Sequence, residues 1–395
     1  MIVQKYKDML GMKSVIREIS EYANKRGSEI GYENVFDYSL GNPSVPVPEK
    51  FNTVIKELLD TREPLALHGY SPSHGLPEVR QKIADSLNKR FKLPYKMEDI
   101  FMTSGAAGAI AHAARAVADV GDEIITFAPY FPEYDPYINE TGAVLKVVPA
   151  DTESFQINFE AFSSICNEKT AAVLLNTPNN PSGVAYSTET IERLAQILKE
   201  KEEKFGHPIY IISDEPYREI VFEGADSPCV SRIYDNTLMC YSFSKSLSIP
   251  GERIGYVAVC PNCKDAALIV NMCTQISRGT GHNCPSSLIQ LAVAKMLEET
   301  SELKVYETNM NILYEELTKL GFTCVKPGGT FYIFPKAPIP DAKKFCEDAL
   351  KYDLCLVPGD TFGCPGYFRM SYCIRTEKVE RSLDAIRKIA KDYGM

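Results

Sequence analysis

Between about residues 51 and 291, apolar runs of strand length alternate with longer stretches whose apolar residues recur every three or four positions. The first pattern suits a strand buried on both faces and the second an amphipathic helix. Their alternation predicts a mostly parallel sheet with crossover helices. Strand-like runs fall at 123–127, 171–175 and 208–213. Ahead of them lie one amphipathic segment, 14–25, and a proline-rich loop, 42–48. From about residue 292 a long helix-like stretch leads into 321–334, where Pro327-Gly328-Gly329 between apolar flanks predicts a hairpin. No internal repeat or low-complexity linker interrupts the pattern.

Several of these runs end in polar groups, and in open α/β sheets the carboxyl ends of the strands form the ligand-binding edge. Lys245 follows an apolar stretch in Ser242-Phe243-Ser244-Lys245, and Gly251-Glu252-Arg253 comes next. A lysine at the end of a buried strand, among hydroxyls and near an arginine, suits an amine held ready to form a Schiff base beside a bound phosphate. The same string suits a lysine on a surface loop. Asp214 ends the run 208–213, with Tyr217 three positions on. An aspartate there can pair with a protonated pyridine nitrogen, and Tyr217 can donate to a ring oxygen; with Lys245 they make the protein half of a pyridoxal phosphate site. Taken alone, Asp214 equally suits a strand-end turn or a helix N-cap. After 171–175 comes Asn176-Thr177-Pro178-Asn179-Asn180-Pro181, a rigid polar loop whose side-chain amide can bind a phenolate oxygen.

In this order the three strings resemble the class I/II aminotransferases, the fold type I pyridoxal phosphate enzymes, and are similar to those of aspartate aminotransferases. The shared pattern is an asparagine loop, an aspartate with a tyrosine three residues later, and a Ser-x-Ser-Lys run with an arginine eight residues on. Here these are Asn180, Asp214 with Tyr217, and Lys245 with Arg253. The resemblance covers nearly the whole chain. Asp37-Tyr38-Ser39-Leu40-Gly41-Asn42-Pro43 looks like the segment lying against the substrate carboxylate, which assigns Gly41. Tyr70-Ser71-Pro72-Ser73-His74-Gly75 begins a second shared stretch, in which Val79 replaces the usual leucine. Gly366-Tyr367-Phe368-Arg369 matches the segment whose arginine grips the α-carboxylate, a task suited to the planar guanidinium fork.

The resemblance also implies roles. Lys245 carries the cofactor and moves the Cα proton, with Asp214 and Tyr217 as its catalytic partners. The phosphate rests on the backbone amides of Gly105, Ala106 and Ala107 at a helix N-terminus, closed by Ser242, Ser244 and Arg253. The alanines, where relatives often carry polar side chains, leave only backbone bonds there. Phe131 stacks on the pyridine ring; the other reading is a core phenylalanine. Asn180, Gly41 and Arg369 bind substrate. Tyr70 reaches the cofactor phosphate of a neighbouring subunit, so a homodimer is expected. The implied fold is α/β, a large cofactor-binding domain at 51–291 with a mostly parallel sheet flanked by helices, and a small α+β domain from 1–50 and 292–395.

The expected activity is a ping-pong transfer of an amino group between an L-amino acid and a 2-oxo acid, with aspartate- or glutamate-type substrates. Arg278-Gly279-Thr280-Gly281-His282-Asn283-Cys284-Pro285 keeps the arginine, asparagine and final proline of the segment that meets a distal carboxylate across the subunit boundary. Arg278 is therefore a candidate for that carboxylate; the glycines around it equally suit a solvated arginine on a loop. Tyr130, Tyr134 and Tyr306 are alternative linings for an aromatic pocket. C–S β-elimination shares every residue named. A non-enzymatic pyridoxal phosphate-sensing module would need a fused DNA-binding domain, and the residues before Gly41 are too few for one.

Composition narrows the setting. At 395 residues and 45% hydrophobic, the chain can bury a large core with a smaller attached domain. A net charge of −9 disfavours nucleic acid as a partner. No stretch approaches a membrane span and Ile2-Val3-Gln4-Lys5 lacks an apolar signal core, which predicts a cytoplasmic location with no membrane partner. The twelve cysteines are dispersed, Cys260 and Cys263 form the sole Cys-x-x-Cys, and the five histidines show no ligand spacing, so no metal is expected. His282 is expected close to the site.

Overall fold

The computed structural model describes residues 2–10 and 14–395. Its strands are β1 (Phe36–Asp37), β2 (Ile100–Thr103), β3 (Glu123–Phe127), β4 (Val144–Val148), β5 (Thr170–Asn176), β6 (Tyr210–Asp214), β7 (Thr237–Ser242), β8 (Gly255–Val259), β9 (Tyr332–Ile333), β10 (Leu354–Cys355), β11 (Val357–Pro358) and β12 (Phe368–Ser371). Seven of them form one sheet in the order β2-β8-β7-β6-β5-β3-β4. Pairing is parallel except around β8, which runs antiparallel to both β2 and β7.

The two-sided burial read from the sequence is visible in β5, every residue of which is buried. Ala172 and Leu174 pack on one face with Ala109, Ala113 and Ile212. Val173 and Leu175 pack on the other with Ile191, Leu194 and Leu198 of the helix Thr188–Phe205. The strand period of two sends alternate residues to opposite helical layers. The helix Gly105–Val117 presents Gly108, Ala109, Ala113 and Ala114 to the sheet. Small side chains let its axis approach the strands closely.

A second core unites Tyr38 with Tyr306, Met310 and Leu313 of the helix Lys304–Lys319, with Phe331, Phe345 and Phe368, and with Val379, Ile386 and Ile389 of the helix Thr376–Asp392. Two small sheets complete this part, β1 parallel to β10 and the antiparallel set β11-β12-β9. The fold is a large α/β unit with a smaller, strand-containing one.

Three local readings change. The stretch 321–334 forms no hairpin; Tyr332–Ile333 is its strand, and it pairs with the distant Ser371 and Met370. The reason is tertiary. Gly328 and Gly329 both donate to the Gly183 carbonyl and Gly328 accepts from Phe222, so the turn is tied to other segments instead of folding on itself. The helical stretch after residue 292 is split, with Ser287–Val293 ending before Lys304–Lys319 begins. The amphipathic segment 14–25 extends as the helix Val15–Ile30, with Ser14 at its N-cap position. Among the described residues no helix is long and apolar enough to cross a membrane.

Candidate active site

Because β8 alone is reversed, its first residue meets the carboxyl ends of two neighbours: Gly255 pairs with Thr103 of β2 and with Ser242 of β7. Arg253, two residues upstream, is thereby delivered to the edge where β5 and β6 end in the paired residues Asn176 and Asp214. A Cβ on Gly255 would overlap the Tyr241 carbonyl and crowd the backbone of Gly105, so the close approach of these segments requires glycine. The edge opens into a cavity of about 320 Å³. Of the residues expected at the site, Gly41, Ala106, Ala107, Phe131, Asn180, Asp214, Tyr217, Ser242, Ser244, Lys245, Arg253 and Arg369 all line it.

Asp214 is buried. Its Oδ2 accepts from the Tyr134 hydroxyl at 2.6 Å, its backbone carbonyl accepts from Asn176 Nδ2 at 2.9 Å, and its Oδ1 is buried with no partner. Burial pushes its carboxyl up to about 7, against the Tyr134 hydrogen bond and with help from the nearby Glu215 charge. Glu215 lies behind, held by Ser213 Oγ at 2.8 Å and Arg218 Nη1 at 3.3 Å.

Lys245 lies in the one-turn helix Phe243–Ser246 directly after β7. Ser242 caps that turn, accepting from the Ser244 amide at 3.2 Å and donating to Ser244 Oγ at 2.8 Å. Lys245 Nζ reaches across to donate to the Gly41 carbonyl at 2.7 Å and lies 5.3 Å from the centre of the Phe331 ring. Burial lowers its pKa to about 8, and Arg253 and Arg369 push the same way while Cys373 opposes them. Arg253 sits in the left-handed region at φ 50°, a conformation that costs a non-glycine residue on the order of 1 kcal/mol. Its Nη1 donates to the Pro250 carbonyl at 3.0 Å and its Nη2 to the Ser104 carbonyl at 3.4 Å, aligning the guanidinium beside the start of the helix Gly105–Val117. Gly105 has φ +75°, and a Cβ there would stand 3.1 Å from Arg253 Nη2.

Arg369 is 2% exposed. Its Nη1 donates to Asn180 Oδ1 at 3.0 Å, its Nη2 donates to the Ser39 carbonyl, and its Nε is buried without a partner. The guanidinium lies between the rings of Tyr332 and Phe362, 4.7 and 4.8 Å from their centres. No carboxylate of the described residues forms an ion pair with it. A buried cation with no ion-paired carboxylate is costly even with the Asp37 charge acting on it from a distance, so this one is built to receive an anion. The backbone of 39–41 connects the two cations, since Ser39 accepts from Arg369 and Gly41 accepts from Lys245.

Tyr70 and Arg278 are placed differently. Tyr70 is fully exposed and Arg278 is exposed in the last turn of the helix Ala266–Thr280; neither lines this chain's cavity. Tyr130, Tyr134 and Tyr306 do not line it either. Tyr134 lies behind Asp214, Tyr130 bonds Asp135, and Tyr306 packs on Phe331 in the second core, so the aromatic-pocket alternative finds no support in them. His282 packs against His112 and Gly108 of the helix Gly105–Val117, outside the cavity wall. Sequence reasoning missed Tyr137, Tyr332, Asn176 and, from the N-terminal helix, Ile16 and Arg17. Asn176 was recoverable as a polar strand end beside Asp214, whereas the others carry no local signal. All twelve cysteines are free, and no group of three or more His, Cys, Asp or Glu among the described residues is arranged for a metal.

The cavity fits pyridoxal phosphate on its own chemistry. At one point stands an unpartnered carboxylate oxygen, Asp214 Oδ1, suited to a protonated ring nitrogen. Elsewhere on the wall a helix N-terminus with the small residues Ala106 and Ala107 meets Ser242, Ser244 and Arg253, a cradle for a dianion. Lys245 is the nearby amine.

Comparison with known proteins agrees with this geometry. Residues 33–386 match the family described as aminotransferase class I and II. The chain is 33% identical over 362 residues to an aspartate aminotransferase of Thermotoga maritima, covering 90% of this chain and 91% of that protein. It superposes on the crystal structure of an amino transferase from Eubacterium rectale with a TM-score of 0.97 at 46% identity, covering 100% of both chains. The structure of the aspartate aminotransferase from Thermotoga maritima gives a TM-score of 0.86 at 30% identity, covering 96% of this chain and 97% of that one. The chain therefore belongs to the class I and II aminotransferases, the fold type I enzymes that depend on pyridoxal phosphate, and is a transaminase acting on an amino acid and a 2-oxo acid.

Proposed function

We propose that this aminotransferase binds pyridoxal phosphate through Lys245, Asp214, Tyr217, Asn180, Phe131, the amides of Gly105, Ala106 and Ala107, and Ser242, Ser244 and Arg253, and takes dicarboxylic amino acids such as aspartate and glutamate. The observation that carries the amino-acid site is Arg369, a buried guanidinium with a free Nε and no ion-paired carboxylate, in the same cavity as Lys245 and Asp214; the dicarboxylate choice rests on Arg278 and the relatives. Aspartate aminotransferases among the relatives support the substrate class.

When bound, the cofactor supplies a ring that accepts the electrons left when the substrate Cα proton departs. The chain's residues do the rest. Arg369 and Asn180 fix the α-carboxylate, with Gly41 leaving room for it, and so decide which bond at Cα is presented for cleavage. Lys245 Nζ, held in the cavity with a lowered pKa, takes and returns the proton. Asp214 Oδ1 holds a proton on the ring nitrogen, and the Tyr217 hydroxyl donates to the ring oxygen.

Tyr70 and Arg278 belong, on this reading, to the partner's site in a homodimer, Tyr70 at its phosphate and Arg278 at the distal carboxylate. Their exposure away from this chain's own cavity supports it. On the same reading the large domain is 51–291 and the small one 1–50 with 292–395, a division supported by the cores around Leu174 and Phe345, although Tyr217, Ile220 and Phe222 pack with the small domain and Ala292, Val293 and Met296 with the large one. The location is cytoplasmic, and the net charge of −9 disfavours nucleic-acid partners.

The test is a single-turnover spectral screen with a panel of amino acids. Rapid conversion to the pyridoxamine form by aspartate or glutamate, lost in Arg278→Ala, is expected. Conversion by aromatic or aliphatic donors alone would overturn the dicarboxylate assignment, and pyruvate release from cysteine conjugates without a pyridoxamine product would indicate β-elimination.

A further inference from the structure

We propose that Tyr332 is a positioning residue that ties the two halves of the site together, its hydroxyl orienting Tyr217 toward the cofactor and its ring seating Arg369 for the substrate carboxylate. This rests on the roles given above to Tyr217 and Arg369. Tyr332 is the first residue of β9, is buried, and lines the cavity. Its hydroxyl is 3.1 Å from that of Tyr217, and the two rings meet edge-on at 5.7 Å and 84°. Its ring lies 4.7 Å below the Arg369 guanidinium. A Cβ on Gly41 would overlap the Tyr332 hydroxyl, so the glycine whose carbonyl receives Lys245 also makes room for this tyrosine.

The geometry assigns the hydroxyl a relay role. When Tyr217 donates to the ring oxygen its own oxygen is left as an acceptor, and the Tyr332 hydroxyl is the donor within reach. Burial pushes the Tyr332 hydroxyl up to about 12, so it keeps its proton at neutral pH. Hydrogen bonds in a chain polarise one another, which makes Tyr217 the stronger donor. A donor at the ring oxygen favours the deprotonated form of the lysine-linked chromophore, so weakening it moves the chromophore's pH midpoint upward. The ring has a separate task. A face stacked on a desolvated guanidinium holds it in one plane, with the free Nε–H left for the substrate carboxylate.

The experiment uses holoenzyme reconstituted with pyridoxal phosphate and compares Tyr332→Phe, Tyr332→Leu and Tyr217→Phe by spectrophotometric pH titration. It adds half-reaction kinetics with whichever of aspartate, glutamate, phenylalanine and leucine the wild type converts. Tyr332→Phe should raise the midpoint by roughly 0.3 unit, a fraction of the Tyr217→Phe shift, with KM within about twofold of wild type. Tyr332→Leu should add a rise in KM of roughly 5- to 30-fold. A midpoint unmoved in Tyr332→Phe while Tyr217→Phe shifts it, or an unchanged KM in Tyr332→Leu, would overturn the proposal. A midpoint unmoved in Tyr217→Phe would instead remove the role given to Tyr217 itself, and the relay with it.

Discussion

Tyr134 donates its hydroxyl to Asp214 Oδ2 at 2.6 Å and thereby leaves Oδ1 as the one unsatisfied oxygen of a buried carboxylate. Replacing Tyr134 by phenylalanine leaves both oxygens without a donor. The apoprotein should lose about 1–3 kcal/mol of stability, and cofactor affinity should fall on the order of tenfold as Asp214 becomes harder to ionise. Tyr130→Phe, whose hydroxyl bonds Asp135 outside the cavity wall, is the control and should leave cofactor affinity unchanged. Urea unfolding and cofactor dissociation measure both; equal effects from the two variants would refute the assignment.

The raised pKa of Asp214 has a thermodynamic consequence of definite sign. The native carboxyl keeps its proton up to about pH 7, whereas the unfolded chain releases it near pH 4. In that window the native apoprotein binds more protons, so this group's contribution to stability falls as pH rises from about 4 to about 7. Urea midpoints of apo wild type and Asp214→Asn should diverge across the window, with wild type losing more. Parallel curves would show that Asp214 does not titrate there.

Lys245 follows the opposite logic. Burial lowers its pKa to about 8, so its free amine becomes the major form at a much lower pH than that of an exposed lysine. The rate at which apoprotein captures pyridoxal phosphate should rise with pH through an inflection near 8. An inflection near 10.5, the value of a solvated lysine, would contradict the burial. Lys245→Ala should abolish the lysine-linked absorbance while the far-ultraviolet circular dichroism stays that of the native fold.

Arg369 carries a buried charge that no carboxylate of the described residues ion-pairs, with the Asp37 charge acting on it from a distance, so function and stability should separate there. Arg369→Lys should raise KM roughly 10- to 100-fold, because a point charge cannot copy two parallel bonds. Arg369→Met should lose substrate binding yet leave the apoprotein as stable as wild type or more so, since an apolar chain of similar length removes an uncompensated ion. A large stability loss in Arg369→Met would mean that the Asn180 and Ser39 contacts outweigh the desolvation.

Shared active sites have a stoichiometric signature. If Tyr70 serves the partner's cofactor, mixing inactive Lys245→Ala with a Tyr70→Ala variant of low activity should generate hybrid dimers in which one site is intact. Roughly one quarter of all sites would then be wild type at equal mixing. Activity on mixing that stays at the average of the two variants would place Tyr70 outside the neighbouring site.

The large sheet and the chemistry at its edge were legible because both are written locally. A strand buried on both faces must be apolar along its length, as in 171–175, and the polar residue that ends it is therefore conspicuous. Asn176, Asp214 and Ser242 are such residues, and β5, β6 and β7 carry them to one edge. The strings around Arg253 and Arg369 were readable by resemblance. The hairpin expected at 321–334 was not, because Pro327-Gly328-Gly329 is a sound turn signal whose backbone groups bond to Gly183 and Phe222 instead.

What the sequence determined alone is the set of reactive groups and the strand ends that carry most of them, since periodicity and punctuation act over a few residues. The tertiary structure decided which groups are left unpaired. That Asp214 keeps one free oxygen, that Arg369 lies buried between two rings without an ion-paired carboxylate, and that Tyr332 sits between Tyr217 and Arg369 all depend on packing between separate segments, 80 residues apart for Tyr134 and Asp214 and 115 for Tyr217 and Tyr332. Burial and hydrogen-bond satisfaction are properties of the packed chain, and no local pattern encodes them.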